Sequence, residues 1–256
     1  LDEEATIIVY EKGSAVSFAN CGMPYYVGGI IADRANMIVQ SRETLRGRYN
    51  LEINVRHEVT KILPEEKEVE VRNLETGETY RRSYDTLVLA PGAEPIRPPI
   101  PGIDSEHVLT LNSLDDMDKI KAKAAVSQRA CIIGAGFIGL ELTENLRHLG
   151  LNVTLVEMLD QILPPLDKEM TAPLLQELRL NGVEVRLGVR AEKIDAHGVT
   201  LSDGTNIPAD LICLSAGVRP RSELARDAGL ELAASGHIVV DAQMRTSNPS
   251  IFAAGD

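Results

Sequence analysis

A short apolar run that changes into a helical pattern marks the clearest segment of this chain. Arg129-Ala-Cys-Ile-Ile133 is β-prone and enters Gly134-Ala-Gly136-Phe-Ile-Gly139. A helix is predicted next, with Phe137, Ile138, Leu142, Leu146 and Leu149 apolar and Glu141, Glu144 and Arg147 polar. Gly150 stops it, as a glycine just past a helix does. Asn152-Val-Thr-Leu-Val-Glu157 then reads as a buried strand that ends in an acid. Strand, glycine turn, helix, strand and acid within about 30 residues make up the dinucleotide-binding βαβ unit. Gly134 permits the tight turn, Gly136 lets backbone approach a pyrophosphate, and Gly139 lets helix and strand pack closely. A bare GxGxxG is a weak signal. A merely structural turn, however, leaves Glu157 unexplained.

The pattern continues with a helix from about Lys168 to Leu180, N-capped by Asp167, and a strand at Val183–Leu187. A β-meander turning at Asp203-Gly204 leads to the apolar strand Asp210–Gly217. The front of the chain repeats this order. Thr6–Glu11 is a strand ending in an acid, and strands are predicted at Leu51–Val59 and Lys67–Val71, with a turn at Thr76-Gly77. Asp85–Gly92 parallels Asp210–Gly217. In the second copy the glycine turn begins 23 residues before its acid, whereas only ten residues precede Glu11. The first copy's strand, glycine turn and most of its helix are therefore expected before Leu1. Ser250–Ala254, directly before Asp256, reads as one more apolar strand, so the chain is expected to be truncated at both ends.

Composition narrows the class of partner. The 256 residues suffice for one large domain or two ordinary ones. A net charge of −12 argues against nucleic acid or an anionic membrane as partner. There is no apolar run long enough to span a bilayer and no secretory signal pattern, and a cytoplasmic protein is expected. Three cysteines, Cys21, Cys131 and Cys213, form no CxxC pair and suit a reducing compartment. The five histidines stand apart from other ligand types, so no metal site is expected.

Two dinucleotide units, the first interrupted by the second and resumed at Ser250-Ile-Phe-Ala-Ala-Gly255-Asp256, resemble the pyridine nucleotide–disulfide oxidoreductases. The resemblance covers essentially the whole chain. It implies an α/β fold of two Rossmann-like three-layer domains, each with a β-meander, the NAD domain inserted in the FAD domain. Expected boundaries are 1–108 for the first FAD part, 109–236 for the NAD(P)H domain and 237–256 for the FAD return. By this resemblance Glu11, with Lys12 beside it, holds the FAD adenosine ribose, and Val59 meets the adenine. Ala90-Pro91-Gly92 is similar to the turn where the chain crosses between domains, and Gly217 is its counterpart. Asp256 matches the carboxylate on the flavin ribityl chain. Gly134, Gly136, Ile138 and Gly139 form the NAD(P)H cradle. Phe137 resembles the aromatic gate over the flavin, although helix packing would explain it as well. Glu141 matches a carboxylate near the nicotinamide amide, or is simply an exposed helix residue.

The sharpest resemblance is Ser17-Phe-Ala-Asn-Cys21-Gly-Met-Pro-Tyr-Tyr26. Dithiol-reducing members carry CxxxxC, and here Met and Tyr follow instead. The single cysteine is similar to the branch of coenzyme A–disulfide reductases, persulfide reductases and NADH oxidases. A lone cysteine is most often a small buried hydrophobe, and Cys131 and Cys213, inside apolar strands, fit that description. Cys21 lies in a stretch without strand periodicity, and only an ionised thiol attacks disulfides. The branch implies Ser17 and Asn20 as contacts to a CoA-type substrate, roles that turn formation would also explain. It places a basic phosphate contact where Arg48 and Tyr49 fall. Tyr49 stands at the basic position, with Arg46 and Arg48 beside it, and these arginines fit a solvated face equally. A small-molecule thiol, disulfide or persulfide substrate and a homodimer are implied. Glu157, with no Arg or Lys among Met158, Leu159 and Asp160, predicts NADH over NADPH. The rival functions are an NADH oxidase or peroxidase cycling Cys21 through sulfenic acid, and a non-catalytic NAD-binding fragment.

Overall fold

The computed structural model describes residues 4–256. In chain order its elements begin with β1 (Ile7–Glu11), α1 (Met23–Val27), α2 (Arg42–Tyr49), β2 (Leu51–Val55) and β3 (His57–Leu63). Then come β4 (Glu68–Asn73), β5 (Thr79–Ser83), β6 (Leu87–Leu89), β7 (Ala93–Pro95), β8 (Val108–Leu109), α3 (Leu114–Ala124) and β9 (Arg129–Ile133). α4 (Phe137–His148), β10 (Asn152–Glu157), α5 (Lys168–Leu180), β11 (Glu184–Leu187), β12 (Ala191–Asp195), β13 (Gly198–Leu201) and β14 (Asn206–Pro208) follow. The last are β15 (Leu211–Leu214), β16 (Val218–Pro220), α6 (Glu223–Asp227) and β17 (Ile251–Ala253).

The chain divides into two compact units. Unit 2, Ala19–Met37 and Pro95–Val218, is built on a five-stranded parallel sheet in the order β11-β10-β9-β15-β8. Its central strands β9, β10 and β15 are almost wholly buried because both faces are covered there. Strand alternation sends Cys131, Ile133, Val156, Ile212 and Leu214 to one face. There they pack with Ile194, Val199, Leu201 and Ile207 of the antiparallel meander β12-β13-β14. α4 covers the other face and buries Leu142 and Leu146 completely. Meander, sheet and helices give the three layers.

Unit 1, Leu1–Phe18, Ile38–Glu94 and Arg219–Asp256, repeats these parts on a smaller scale. β1 runs parallel to β2, as β10 does to β11, and β17 runs parallel to β6. The meander β3-β4-β5 contributes Ile62, Val69 and Val71 to a core shared with Leu89, Ala225, Leu230, Ile251 and Ala253.

The compact units cut the chain at other places than the boundaries 1–108, 109–236 and 237–256. Residues 219–236 join unit 1 because Ala225 and Leu230 belong to its core. Residues 95–108 join unit 2, where Ile103 and Val108 enter the core and the Ile194 N–H donates to the Pro101 carbonyl at 2.8 Å. Two local expectations also change. The strand predicted over Leu51–Val59 is two strands, broken at Arg56, which adopts a left-handed φ of 57°. That turn lets β2 stay parallel to β1 while β3 starts an antiparallel meander. Asp167 occupies the N-cap of α5, but its side chain makes no cap hydrogen bond. Among the described residues no helix is long and apolar enough to cross a membrane.

Candidate functional site

In unit 2 the glycine turn between β9 and α4 is shaped by contacts only glycine tolerates. Gly134 has a φ of 105°, and a Cβ there would lie 2.3 Å from the Ser215 carbonyl oxygen. A Cβ on Gly139 would lie 2.0 Å from the Gly134 carbonyl oxygen, so helix and strand approach through bare backbone. Gly136, the N-cap of α4, differs: a Cβ there would meet nothing within 4 Å. Open space over Gly136 faces a helix start whose first N–H groups have no intrahelical partner. That combination fits a pyrophosphate.

Glu157 closes the site at the end of β10. It is buried, and its carboxylate accepts from the Ala135 N–H at 2.8 Å and from the Leu159 N–H at 2.9 Å. Two charge-assisted hydrogen bonds offset the cost of burying the anion and fix its orientation. A carboxylate held by one N–H per oxygen retains lone pairs for a ribose diol. The residues present therefore fit an NAD-type dinucleotide.

Phe137 and Ile138 open α4 but do not pack beneath it, being 63% and 40% exposed. Simple packing within unit 2 does not explain Phe137. Glu141 is half-buried, and burial, with a smaller contribution from Glu144, pushes its carboxyl above the usual range. Gly217 has a φ of 95°, and its carbonyl accepts from the Ile96 N–H at 2.9 Å. Ser215 escaped the sequence pattern, where it was only part of an apolar strand. Its Oγ is buried with no hydrogen-bond partner, and its Cβ lies 3.5 Å from the point where a Gly139 Cβ would stand. The parallel between Asp85–Gly92 and Asp210–Gly217, which sets Ser215 opposite Ala90, was the available signal.

Unit 1 carries the equivalent acid. Glu11 ends β1, and its carboxylate accepts from the Gly13 N–H two residues on, as Glu157 does from Leu159. Lys12 is exposed and pairs with Glu58 at 2.5 Å. Val59 sits half-buried beside the bulge that kinks β3. Ala90-Pro91-Gly92 follows β6; Gly92 has a φ of 70°, and its carbonyl accepts from the Arg221 N–H at 2.9 Å. Asp256 is exposed beyond β17, after Gly255 at a φ of 98°. These residues fit the ribose and ribityl ends of a flavin dinucleotide: an anchored acid ends a parallel strand, and no atom lies within 4 Å of a Cβ on Gly92 or Gly255.

Cys21 is exposed, whereas Cys131 and Cys213 are fully buried, and burial pushes each of those thiols up to about 12. Cys21 lies in a single 3-10 turn, Asn20–Gly22, that leads directly into α1. Gly22 is closely packed there: a Cβ would meet the Ala19, Ile31 and Met37 side chains at 3.2–3.3 Å. Asn20 lies beside Cys21 in unit 2, while Ser17, Arg48 and Tyr49 belong to unit 1. The Ser17 carbonyl accepts from the Val39 N–H at 3.1 Å. α2 buries no residue, and Arg48 lies over the exposed Tyr49 ring, 5.4 Å from its centroid.

Comparison with known proteins gives one consistent match. The family described as "Pyridine nucleotide-disulphide oxidoreductase" matches residues 2–256. The structure of the reduced CoADR-RHD of Bacillus anthracis superposes with a TM-score of 0.97 at 44% identity, covering 100% of this chain and 47% of that one. The NAD-dependent persulfide reductase of A. fulgidus follows with a TM-score of 0.96 at 38% identity, covering 100% and 49%. The NADH oxidase of Enterococcus faecalis is 38% identical over 259 residues, covering 99% of this chain and 58% of the relative. The chain thus spans about half the length of the relatives it matches.

Proposed function

We propose, from the premise that this chain belongs to the pyridine nucleotide-disulphide oxidoreductase family, that it serves an FAD- and NADH-dependent reductase of a CoA-type disulfide or persulfide. Cys21 is the attacking sulfur. The observation that carries this reading is the contrast among the three cysteines. Two are sealed in a sheet, and the third stands exposed at the head of a short helix inside Ser-Phe-Ala-Asn-Cys-Gly-Met-Pro-Tyr. The 38–44% identity to a persulfide reductase and to CoADR-RHD supports the sulfur acceptor.

Gly134, Gly136, Ile138, Gly139 and Gly217 frame NADH, with Glu157 on its ribose. Phe137 and Glu141 lie on the nicotinamide side, where the half-buried carboxyl orients the amide. Glu11, Lys12, Val59, Ala90, Pro91, Gly92 and Asp256 hold FAD. Bound FAD supplies the redox relay that turns a hydride equivalent into an electron pair for sulfur. Ser17, Asn20, Arg48 and Tyr49 bind the acceptor's non-reacting part. The Cys21 thiolate attacks one sulfur of R–S–S–R′, forms Cys21–S–S–R and expels R′–S⁻. One electron pair and one proton then return Cys21 to thiolate and release R–SH.

The test is anaerobic NADH consumption by the intact protein, with and without CoA disulfide or CoA persulfide. Consumption that requires the sulfur compound supports the reading. The 38% identity to an NADH oxidase favours one alternative, in which Cys21 cycles through sulfenic acid. Turnover that requires oxygen and ignores the sulfur compound would establish that alternative instead.

A further inference from the structure

The segment that carries Cys21 is tied to two helices of its own unit by contacts that nucleotide binding does not require. α1 has five residues, too few to be stable alone, so tertiary contacts must set its position. At its C-terminal end the Tyr26 carbonyl accepts from Lys121 Nζ at 2.5 Å. The same ammonium lies 4.0 Å from the centroid of the buried Tyr26 ring. One cation thus satisfies a terminal carbonyl and stacks on an aromatic face. One turn earlier on α3, Asp118 receives Arg34 in a two-pronged contact, with Nε and a terminal guanidinium nitrogen both at 2.9 Å from Oδ2. Residues three apart share a helix face, so both ties come from one side of α3. The Arg34 pair is half-exposed and the weaker of the two. On α4, the fully buried Asn145 presses on Gly28, where a Cβ would fall 2.1 Å from Oδ1.

We propose that Lys121 is a positioning residue for Cys21, locking the far end of α1 to α3 so that the 3-10 turn at its head presents the sulfur in one place, with Asp118 as the second tie. This rests on the reading of Cys21 as the nucleophile. The loss of the ammonium leaves the Tyr26 carbonyl with only the Gly29 N–H at 3.2 Å and frees a five-residue helix to shift, and a shift of about 1 Å is enough to slow a positioned reaction severely.

The experiment uses the intact enzyme with Lys121→Met, Lys121→Arg, Asp118→Asn and, as reference, Cys21→Ser. Lys121→Met is expected to lower kcat/KM for the sulfur acceptor about tenfold, while the rate of the NADH-driven half-reaction stays within about twofold. Lys121→Arg, which keeps a cation and a donor, recovers most of the loss. Hydrogen exchange without nicotinamide is expected to rise over residues 20–28 and not over β9 or β10. Asp118→Asn, a milder change, is expected to show the same split at smaller size if Lys121→Met folds poorly. Acceptor turnover unchanged in both Lys121→Met and Asp118→Asn, or equal loss of both half-reactions without rescue by arginine, overturns the proposal. If Cys21→Ser abolishes sulfur turnover while Lys121→Met does not, only the clamp is wrong. If Cys21→Ser retains it, the functional reading fails first.

Discussion

Two glycines two residues apart, Gly134 and Gly136, separate folding from binding. Gly134→Ala forces a side chain into a φ of 105° and against the Ser215 carbonyl. It is expected to cost about 2 kcal/mol, from left-handed strain and overlap, visible as a lower denaturation midpoint. Gly136→Ala meets no atom within 4 Å. It is expected to leave that midpoint unchanged and to weaken NADH binding by titration, because the added methyl occupies the approach to the helix N-terminus. In its proposed ribose role Glu157, already oriented by the Ala135 and Leu159 N–H groups, would repel a 2′-phosphate. kcat/KM is therefore expected to favour NADH over NADPH, and Glu157→Gln with Met158→Arg to narrow the ratio. Equal use of both cofactors by the unaltered enzyme would contradict that assignment.

Between elements, Asp210 fastens β15 to β9. Its Oδ2 accepts from the Gln128 and Arg129 N–H groups at 3.1 and 3.0 Å, and the Arg129 guanidinium reaches Oδ1 at 2.6 Å. The Arg129 side-chain hydrogen bond is the main reason its carboxyl is held down to about 2. A folded-state value below the ordinary one, near ~3.9, gives stability that is present above the ordinary value and lost as pH falls through the folded one. The difference in melting temperature between the native chain and Asp210→Asn is therefore expected to be full at neutral pH and to vanish between about pH 4 and pH 2. The βαβ unit around β9, α4 and β10 was legible from residues because periodicity, glycine turn and acid all agree there. β2 and β3 were not separable, since Arg56 carries no turn signal and only the change from parallel to antiparallel pairing reveals the break. The exposure of Phe137 was hidden for a related reason: an apolar residue at a helix start fits the period whether or not anything covers it.

At the scale of the chain, the repeated architecture and the insertion of one unit into the other could be read from the order of strands and acids. The unit boundaries could not, because Ala225, Leu230 and the Cys21 segment are assigned by what they pack against rather than by local pattern. For the same reason Lys121 and Asn145 looked like ordinary helix residues until the fold set them against α1. Burial also divides the cysteines of the folded protein. Iodoacetamide is expected to add one label within these residues, at Cys21, and to reach Cys131 and Cys213 only after denaturation, as counted by peptide mass spectrometry. The most direct test traps the sulfur chemistry itself. The intact enzyme, mixed with CoA disulfide after reduction and quenched in acid, is expected to carry a CoA adduct on the peptide containing Cys21, and Cys21→Ser to carry none and to lose acceptor turnover. An enzyme that reduces the acceptor at the native rate without Cys21, or without forming that adduct, would contradict the account.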